Sequence, residues 1–370
     1  MSTAAVGVAQ VNPFGTGMAY PTPPAKPVRK KRDAVRIGLC GVGRAGAGMV
    51  TRDVVPVAEA TIVAVCDLVP ERAEQFSALH GGRVLPDFKS LLNDPDVEVV
   101  VIATRSHEHV PLAIQALKSG KHVLVEKPMA IDLAGADRLL KQAKLSSGRL
   151  FVRHNRRFDP MLLVAKEIIQ SGKIGNVFEV KISIAGYQRR ADWQTMRKFG
   201  GGQLLNWGPH CVDWAMQLIG PKAVDVWADL KRVCAAGDAE DHVKLLIRGE
   251  TGIVADVEIS GGQAMGKSSW TIHGQYGGFT IEAGRVRLKY LHKETLKKLR
   301  ADENTPSGYD TGEKLDWTEE EFDCVPKHTP RFWTLVYKTL RDGDEFPITH
   351  AEARENMRVL ELARRIGKLE

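Results

Sequence analysis

Residues 35–46 read VRIGLCGVGRAG, a mostly apolar run followed by glycines in the spacing GxGxxG. The run from Val35 to Cys40 predicts a buried strand, and the residues from Arg44 to Arg52 predict the start of a helix. A strand that turns through glycines into a helix is typical of the first unit of a parallel sheet that binds a dinucleotide. The stretch therefore predicts an α/β fold that begins with a doubly wound sheet.

Each glycine of this turn has a separate predicted task. Gly41 permits the tight turn, Gly43 lets the backbone approach a pyrophosphate, and Gly46 lets the helix pack closely on the strand. The amide groups at the start of the helix face the anion. We expect a dinucleotide cofactor to bind along this turn, at Gly41, Gly43, Arg44, Ala45 and Gly46.

An acidic residue follows the second predicted strand, Thr61 to Cys66. Asp67 comes 21 residues after Gly46, where a carboxylate accepts hydrogen bonds from both hydroxyls of an adenosine ribose. That charge repels a 2′-phosphate, so the pattern favours NAD over NADP. The alternative for the two features is a glycine-rich turn with a helix-capping Asp67.

The same alternation of short apolar runs and helical periodicity continues to about residue 155. It predicts a Rossmann domain over residues 34–155, in which the strands are parallel and buried on both faces. The predicted strands are 97–103, 122–125 and 149–152, and the predicted helices are 70–79, 110–118 and 133–145.

The hydrophobic pattern changes in the second half of the chain, where longer segments alternate between apolar and polar residues. Such strands are buried on one face only, so residues 156–370 predict an α+β domain with an open, largely antiparallel sheet. We expect the free face to form a homodimer or homotetramer. The predicted strands are 177–185, 224–231, 243–247, 253–259 and 270–273, and the predicted helices are 161–170, 332–340 and 351–366, the last of which is expected to pack back on the body.

The positive charge of the chain is concentrated at its N-terminus. The formal net charge is +7, yet residues 1–32 hold five basic residues and no acid, which leaves +2 for the other 338 residues. Prolines and small residues in this leader predict a flexible arm over residues 1–33. Because binding to nucleic acid needs a basic face on the folded body, no nucleic-acid partner is expected.

Composition excludes several other classes of protein. Hydrophobic residues make up 43% of the chain, with no uninterrupted apolar run of the roughly 18 residues that a membrane span needs. The five cysteines lie far apart, with no CxxC pair, which argues against a zinc ribbon and a disulfide framework. We expect no membrane association, no metal site and a reducing, cytoplasmic location.

A second chemical motif, Glu126-Lys127-Pro128, follows the predicted strand 122–125. It therefore lies at the carboxyl edge of the sheet, where ligands bind. A lysine pressed between a nicotinamide ring and low-dielectric walls has a lowered pKa and exchanges a proton with a substrate hydroxyl. Pro128 is expected to fix the backbone, with a cis bond as one option. The alternative is an ordinary Glu-Lys pair in solvent.

The third motif is a glycine-rich stretch, GGGQLLNWGPHCVD, at residues 200–213. If this segment is helical, Asn206, His210 and Asp213 share one face. Pro209 complicates that interpretation, since proline starts or ends a helix. His210 is the candidate imidazole acid or base, and Asp213 is as good a candidate for holding His210 as for any other role.

Together these three motifs make the chain resemble the Gfo/Idh/MocA oxidoreductases, the relatives of glucose-fructose oxidoreductase and inositol dehydrogenase. The resemblance covers residues 34–370. It implies two domains with an active site between them, and substrates that are sugars, sugar derivatives or cyclitols. Lys127 and His210 match the family's proton-handling pair, and Thr104 and Glu126 match positions that line the nicotinamide side.

Two departures from the family pattern stand out. The family's usual Asp four residues before the histidine is Asn206 here. An Asn orients a substrate hydroxyl or His210 but does not raise the basicity of the histidine as a carboxylate does. The segment 104–109 keeps the family's Thr and the cofactor-binding His109, but Arg105 and Ser106 replace the more usual Pro and Asn.

The segment RHNRRFDP at residues 153–160 resembles the family's crossing between domains. Asn155 and Arg156 are candidates for contacts with nicotinamide or sugar hydroxyls, whereas Arg157 is expected to tie the domains together through carboxylates. Trp193, ahead of the glycines, is a candidate for stacking on a sugar or on the nicotinamide. Its alternative is plain interdomain core.

The predicted function is reversible oxidation of a secondary hydroxyl on a sugar-like ring, with NAD as hydride acceptor and Lys127 or His210 as the base. Asn206 completes the predicted catalytic set. One alternative is a redox-neutral epimerase, lyase or glycosidase that holds NAD tightly and works through a transient keto sugar. A second alternative is a non-catalytic NAD-binding regulator, which would need neither proton carrier.

Overall fold

A computed structural model describes residues 29–304, 306, 308 and 313–369. Its first half contains a six-stranded sheet, in which every neighbouring pair is parallel and the strand order is β3-β2-β1-β4-β5-β6. The strands are β1 (Val35–Cys40), β2 (Ala60–Cys66), β3 (Arg83–Val84), β4 (Val99–Ile102), β5 (His122–Val125) and β6 (Leu150–Val152).

Helices connect these strands in the manner of a doubly wound fold. They are α1 (Arg44–Met49), α2 (Pro70–His80), α3 (Phe88–Asn93), α4 (His109–Lys118) and α5 (Leu133–Leu145). The α-helix is shorter than the predicted run to Arg52. Its backbone hydrogen-bond pattern changes at Val50 from α-helical to π-helical, and the π-helical turn ends at Val54. The strand order and connections confirm the predicted Rossmann half.

The second half begins with helix α6 (Pro160–Gln170) and carries an eight-stranded sheet. Its order is β14-β13-β12-β11-β7-β10-β9-β8, and only the β7–β10 pair is parallel, so the predicted α+β half with a largely antiparallel sheet is confirmed. The strands are β7 (Val177–Ala185), β8 (Ala223–Lys231), β9 (His242–Gly249), β10 (Val254–Ser260), β11 (Ser269–Gly274), β12 (Gly277–Glu282), β13 (Arg285–Leu291) and β14 (Trp317–Asp323).

The two faces of this second sheet differ in chemistry. Along β7, Val180, Ile182 and Ile184 are buried against the helices, which include α7 (Gln203–Asn206) and α8 (Gly208–Ile219). The opposite face carries charged cross-strand pairs such as Lys244 with Asp256. That face is open in the single chain, and its use in a homodimer or homotetramer stays a prediction.

The C-terminal helices α9 (Phe332–Arg341) and α10 (His350–Ile366) return to the first half. Trp333 and Val336 of α9 are fully buried in the same apolar cluster as strand β1. Helix α10 lies against α8 and β8 and also contacts α5, where Arg354 pairs with Asp137. These contacts join the two halves away from the cleft, and the domain boundaries 1–33, 34–155 and 156–370 stay predictions.

The basic leader enters the described structure only at residue 29, so most of the predicted arm lies outside the described residues. Lys30 donates hydrogen bonds to the carbonyl oxygens of Val54 and Val57, at 2.8 and 2.6 Å. Lys31 pairs with Glu59 at 3.4 Å. The last residues before β1 therefore lie on the end of the first helical connection.

All five cysteines fall in the described part and carry free thiols. Throughout that part, no helix combines the length and the apolar character that crossing a bilayer requires.

Candidate active site

The glycine turn after β1 has the shape that the sequence predicts. Gly41 adopts a φ of +91°, and a Cβ there would lie 2.7 Å from the carbonyl oxygen of Ala103. A Cβ on Gly46 would lie 2.1 Å from the carbonyl oxygen of Gly41, so only glycine allows this helix to pack on the turn. At Gly43, by contrast, a Cβ would meet no atom within 4 Å. The backbone thus leaves open space beside Gly43, which fits the pyrophosphate of a dinucleotide.

Asp67 lies half-buried at the end of β2, beside this turn. Its two carboxylate oxygens accept hydrogen bonds from the backbone amides of Val42 and Val69, each at 2.9 Å. These amides fix the carboxylate at the carboxyl edge of the sheet, next to the turn where a dinucleotide fits. The arrangement also supports the turn itself, since Val42 lies between the first two glycines.

Lys127 follows β5 and reaches across to the second half. The peptide bond between Lys127 and Pro128 is cis, one of the options that the sequence left open. The Nζ atom of Lys127 donates to the main-chain oxygen of Asn206 at 2.9 Å and lies 3.4 Å from its Oδ1 atom. Lys127 is therefore anchored across the interdomain cleft, which excludes the alternative of a Glu-Lys pair in solvent.

The environment of Lys127 favours its uncharged form. Burial lowers the pKa of Lys127 to about 8; the nearby Glu126 carboxylate opposes this effect, and the Arg156 and Arg44 guanidinium groups add to it. A lysine with such a pKa exchanges protons near neutral pH.

Glu126 is occupied by a partner that the sequence did not reveal. It is buried, and its Oε1 accepts from Nη1 of Arg153 at 2.7 Å. The same guanidinium group pairs with Asp53, in the π-helical turn after α1. Arg153 thus links the helix that starts at the glycine turn to the strand end that carries Lys127. Arg153 is 27 positions from Glu126 and 100 positions from Asp53 in the sequence. No local sequence pattern predicts contacts over such separations.

Asn206 and His210 do not lie on one uninterrupted helix. Helix α7 ends at Asn206, and α8 starts at Gly208 with Pro209 in its first turn. Proline is favourable there because its missing N–H group is not needed in the first turn. Of the two roles open to Pro209, starting or ending a helix, the structure shows the first: Pro209 lies in the first turn of α8.

His210 is a buried, neutral imidazole. It packs edge-on against Trp207 and stacks on Trp214, with ring centroids 5.8 and 6.3 Å apart. Burial, the Lys127 ammonium group and the Arg156 guanidinium group hold the pKa of His210 well below its usual value. Within the described part of the chain, its Nδ1 atom is buried without a hydrogen-bond partner.

Asp213 does not hold His210. Its carboxylate forms a buried, two-point ion pair with Arg157, whose Nε donates to Oδ2 at 3.1 Å. Arg157 also pairs with Glu352 of α10 at 3.0 Å. The pairing accords with the expected role of Arg157 in joining parts of the chain through carboxylates, and it means that Asp213 does not raise the basicity of His210.

Gln194 is a site residue that sequence reasoning missed. Its Oε1 accepts from Nη2 of Arg190 at 2.6 Å and from Nη2 of Arg44 at 3.2 Å, and its Nε2 donates to Oδ1 of Asn206 at 3.3 Å. Arg44 belongs to the glycine turn and Asn206 holds Lys127, so one amide side chain connects the two motifs. A glutamine beside Trp193 carries no chemical signal by type or spacing.

Thr104 and His109 lie on one side of the cleft. The hydroxyl oxygen of Thr104 is buried and has no partner among the described residues, as a group awaiting a ligand would be. His109 is buried, with Nδ1 2.7 Å from the carbonyl oxygen of Pro128 and Nε2 3.3 Å from that of Thr104. Burial lowers the pKa of His109, and a neutral imidazole donates through one nitrogen only, so the shorter contact assigns the hydrogen to Nδ1, which donates to Pro128. His109 thus supports the loop after β5, a role the resemblance did not imply.

The remaining predicted substrate residues have mixed placements. Arg156 lies over the ring of Trp207, 4.7 Å from its centroid, and pairs with Asp159 at 2.7 Å. Arg156 is therefore beside His210, which contacts the same tryptophan. The side chains of Asn155 and Trp193 are half-buried and form no side-chain hydrogen bond with the described residues, so the structure does not bring them into this network.

Comparison with known protein families gives two matches that cover most of the chain. Residues 35–154 match the model of an oxidoreductase family with an NAD-binding Rossmann fold. Residues 162–280 match the C-terminal domain of the GFO/IDH/MocA group.

Two of the similar curated proteins match over about three fifths of this chain. A 1-carboxy-3-chloro-3,4-dihydroxycyclohexa-1,5-diene dehydrogenase from Comamonas testosteroni is 35% identical over 61% of this chain, and the matched region spans 58% of that protein. An inositol 2-dehydrogenase from Acidothermus cellulolyticus is 34% identical over 61% of this chain and 66% of its own length. Among solved structures, an NAD-binding protein from Listeria innocua aligns with a TM-score of 0.78 at 23% identity, covering 91% of this chain and 95% of its own, and thus shares the fold.

Proposed function

This chain belongs to the Gfo/Idh/MocA family of oxidoreductases, and we propose that it interconverts a secondary hydroxyl and a ketone on a sugar, sugar derivative or cyclitol. The observation that carries the proposal is the position of Lys127. Its amine is held on Asn206 across the cleft, with a lowered pKa, between a neutral imidazole and a glycine turn that leaves room for a dinucleotide. A regulator that only binds NAD has no need of such an amine.

The residues of the first half fit a nicotinamide dinucleotide. Gly41, Gly43 and Gly46 would hold its pyrophosphate, and Asp67 would hold the adenosine ribose. When bound, the nicotinamide supplies the acceptor or donor of the hydride. Asp67 supports NAD as the preferred form, because a second negative charge at the ribose would be repelled.

Lys127 is the better base of the two candidates. Its contacts with the main-chain oxygen and Oδ1 of Asn206 use two hydrogens of the amine. The third tetrahedral position remains for the substrate hydroxyl, where the uncharged amine presents a lone pair. No carboxylate of the described residues pairs with His210, so its imidazolium form is not stabilised there; it acts as a neutral hydrogen-bonding group that orients the same hydroxyl.

Asn206 matters for this assignment because it carries no charge. A carboxylate 3.4 Å from the amine of Lys127 would stabilise the ammonium form and raise the pKa of the lysine. The carboxamide anchors the amine without that effect. The departure from the family pattern is therefore consistent with proton removal by Lys127.

The substrate class rests on the relatives. The dehydrogenases from Acidothermus cellulolyticus and Comamonas testosteroni act, by their names, on an inositol and on a carboxylated cyclic diol. Both compounds place a secondary hydroxyl on a six-membered ring. We expect a ring of this kind for the present chain; a homodimer or homotetramer and a cytoplasmic location stay predictions.

The proposal is tested by identifying the bound nucleotide and the reaction. The purified protein is denatured, and released NAD or NADP is identified by mass spectrometry. The native protein is then given each nucleotide with a panel of inositols, aldoses and uronic acids, and the absorbance of reduced nicotinamide is followed, with Lys127→Ala as the control. Reduction that depends on Lys127 supports the proposal, product without net reduction supports the redox-neutral alternative, and binding of neither nucleotide overturns both.

A further inference from the structure

Gln194 occupies a junction that neither the family pattern nor the proposed mechanism assigns. It lies in a short 3-10 turn, Trp193–Thr195, just before the glycines at 200–202. Its main chain is fixed on both sides: its N–H donates to Asp192 at 2.9 Å, and its carbonyl oxygen accepts from Gly202 at 2.8 Å. The side chain therefore starts from a backbone with little freedom.

Its neighbours determine which way the carboxamide of Gln194 is turned. Two guanidinium groups, from Arg190 and Arg44, converge on one terminal atom of the side chain at 2.6 and 3.2 Å. A guanidinium group only donates hydrogen bonds, so that atom is the oxygen. Arg190 is itself held by both carboxylate oxygens of Asp192. The amide nitrogen of Gln194 consequently faces Asn206.

The same reasoning sets the orientation of Asn206. One terminal atom of its side chain lies 3.3 Å from Nε2 of Gln194 and 3.4 Å from Nζ of Lys127, and both neighbours donate. That atom is therefore the oxygen, and the NH₂ group of Asn206 is turned away from both. Within the described part of the chain, this NH₂ group makes no hydrogen bond, although Asn206 is 91% buried from solvent.

We propose that Gln194 is a positioning residue, which locks the carboxamide of Asn206 with its oxygen on Lys127 and its NH₂ group toward the substrate. The proposal rests on the proposed function. If Lys127 binds the reacting hydroxyl, the NH₂ group of Asn206 binds a second oxygen of the same substrate. An NH₂ group donates and does not accept. The site therefore selects a ring whose neighbouring group accepts a hydrogen bond, such as a ketone, an ether oxygen or a carboxylate, over one that only donates.

A direct test observes the carboxamide of Asn206 without any substrate. The intact protein is labelled with ¹⁵N-asparagine, and the side-chain NH₂ signals of Asn206 are assigned by their loss in Asn206→Asp. Gln194→Glu keeps an acceptor for Arg190 and Arg44 but has no hydrogen for Asn206, and Gln194→Met removes both roles. We expect the Asn206 signals to shift in both variants and to stay in place in Gln115→Glu, a matched change on the exposed surface of α4.

Kinetics then separate positioning from general structural support. We expect Gln194→Met to lower kcat by about tenfold while the Kd for NADH, followed by its fluorescence, changes by less than about twofold. The same change made in an Asn206→Ala background should have little further effect, because Gln194 acts through Asn206. Unmoved Asn206 signals in both Gln194 variants, or losses that add fully in the double variant, overturn the proposal. If the wild-type protein shows no turnover, the proposed function fails while the NMR comparison still decides the role of Gln194.

Discussion

The amine of Lys127 lies 2.9 Å from the main-chain oxygen of Asn206, although the two residues are 79 positions apart and belong to different halves of the chain. The contact brings the Glu126-Lys127-Pro128 motif and the glycine-rich motif into one site. Because the acceptor is a main-chain oxygen, it persists when the side chain at position 206 is changed. Lys127 and the residues around it can therefore be tested by substitution one at a time.

The base is identified by comparing Lys127→Ala with Lys127→Arg. If Lys127 removes the proton, both variants should lose about 10²- to 10⁴-fold in kcat, since arginine remains charged. The uncharged fraction of Lys127 grows as pH rises through about 8, so the wild-type rate of oxidation should rise with a midpoint near that pH. Substantial activity in Lys127→Arg, or a rate that falls above pH 8, would show that the lysine serves as a cation instead.

Restoring the family's carboxylate with Asn206→Asp should move this pH profile. A negative charge beside Nζ favours the ammonium form, so the midpoint for oxidation should move upward by about one to three pH units. Steady-state rates between about pH 6 and 10 measure it as a rate that is still rising above about pH 9, where the wild-type rate has levelled off. Gln115→Glu serves as a control for an added charge at a distance. An unchanged midpoint would mean that the titrating group is not Lys127.

Two of the three glycines of the turn, Gly43 and Gly46, should respond differently to alanine. Gly43→Ala adds a methyl group in open space, so the free energy of unfolding should be maintained while the affinity for NAD falls about tenfold or more. Gly46→Ala drives its Cβ against the carbonyl oxygen of Gly41 and should cost about 1–3 kcal/mol of stability. Urea unfolding and fluorescence titration with NADH separate the two effects. Normal NADH binding by Gly43→Ala would place the pyrophosphate elsewhere.

Asp67 should decide between the two nicotinamide nucleotides. Asp67→Asn removes the charge that would repel a 2′-phosphate, so the affinity for NADP relative to NAD should increase by about tenfold or more. Titration with NADPH and NADH measures the ratio. Glu71→Gln, an exposed carboxylate in the first turn of α2, is the matched control and should leave the ratio unchanged. A protein that already prefers NADP before substitution would contradict the assignment of Asp67.

The buried pair of Arg157 and Asp213 should matter for stability. Asp213→Ala removes the two-point partner of the buried Arg157 guanidinium group and leaves it only Glu352 and the carbonyl oxygen of Pro347, so we expect the free energy of unfolding to fall by about 1–3 kcal/mol. Urea unfolding measures the loss. Near-wild-type stability combined with a large fall in kcat would instead return Asp213 to the role of orienting His210.

Local pattern was sufficient for the first half of the fold and for part of the site. The bounds predicted for β1, β5, α5 and β7 agree with the structure to the residue. The glycines of the turn were predictable because glycine allows backbone conformations that other residues avoid, and a few neighbouring residues determine the conformation of a turn. The position of Lys127 followed in the same way, because a residue directly after a buried parallel strand lies at the carboxyl edge of the sheet.

Other features depended on contacts between distant segments. Strands β12 and β14 were not predicted because β12 begins with two glycines and β14 carries acidic residues on both faces; β13 was also missed, although its alternation is regular. The pairing of Asp213 with Arg157 rather than His210, and of Glu126 with Arg153, was equally beyond the sequence. Several carboxylates and cations compete in this region, and only their relative positions in the folded chain select the partners.

The amino-acid sequence by itself thus determined the parallel sheet, the cofactor turn and the edge at which Lys127 lies, because periodicity, glycine spacing and strand ends are local properties. Tertiary structure alone decided that Gln194 joins Arg44 to Asn206, 150 residues along the chain from one and 12 from the other. It also decided that the pKa of His210 is held well below its usual value and that its Nδ1 atom has no hydrogen-bond partner among the described residues. Hydrogen-bond partners and pKa values are properties of three-dimensional surroundings, and those surroundings exist only once both halves have folded against each other.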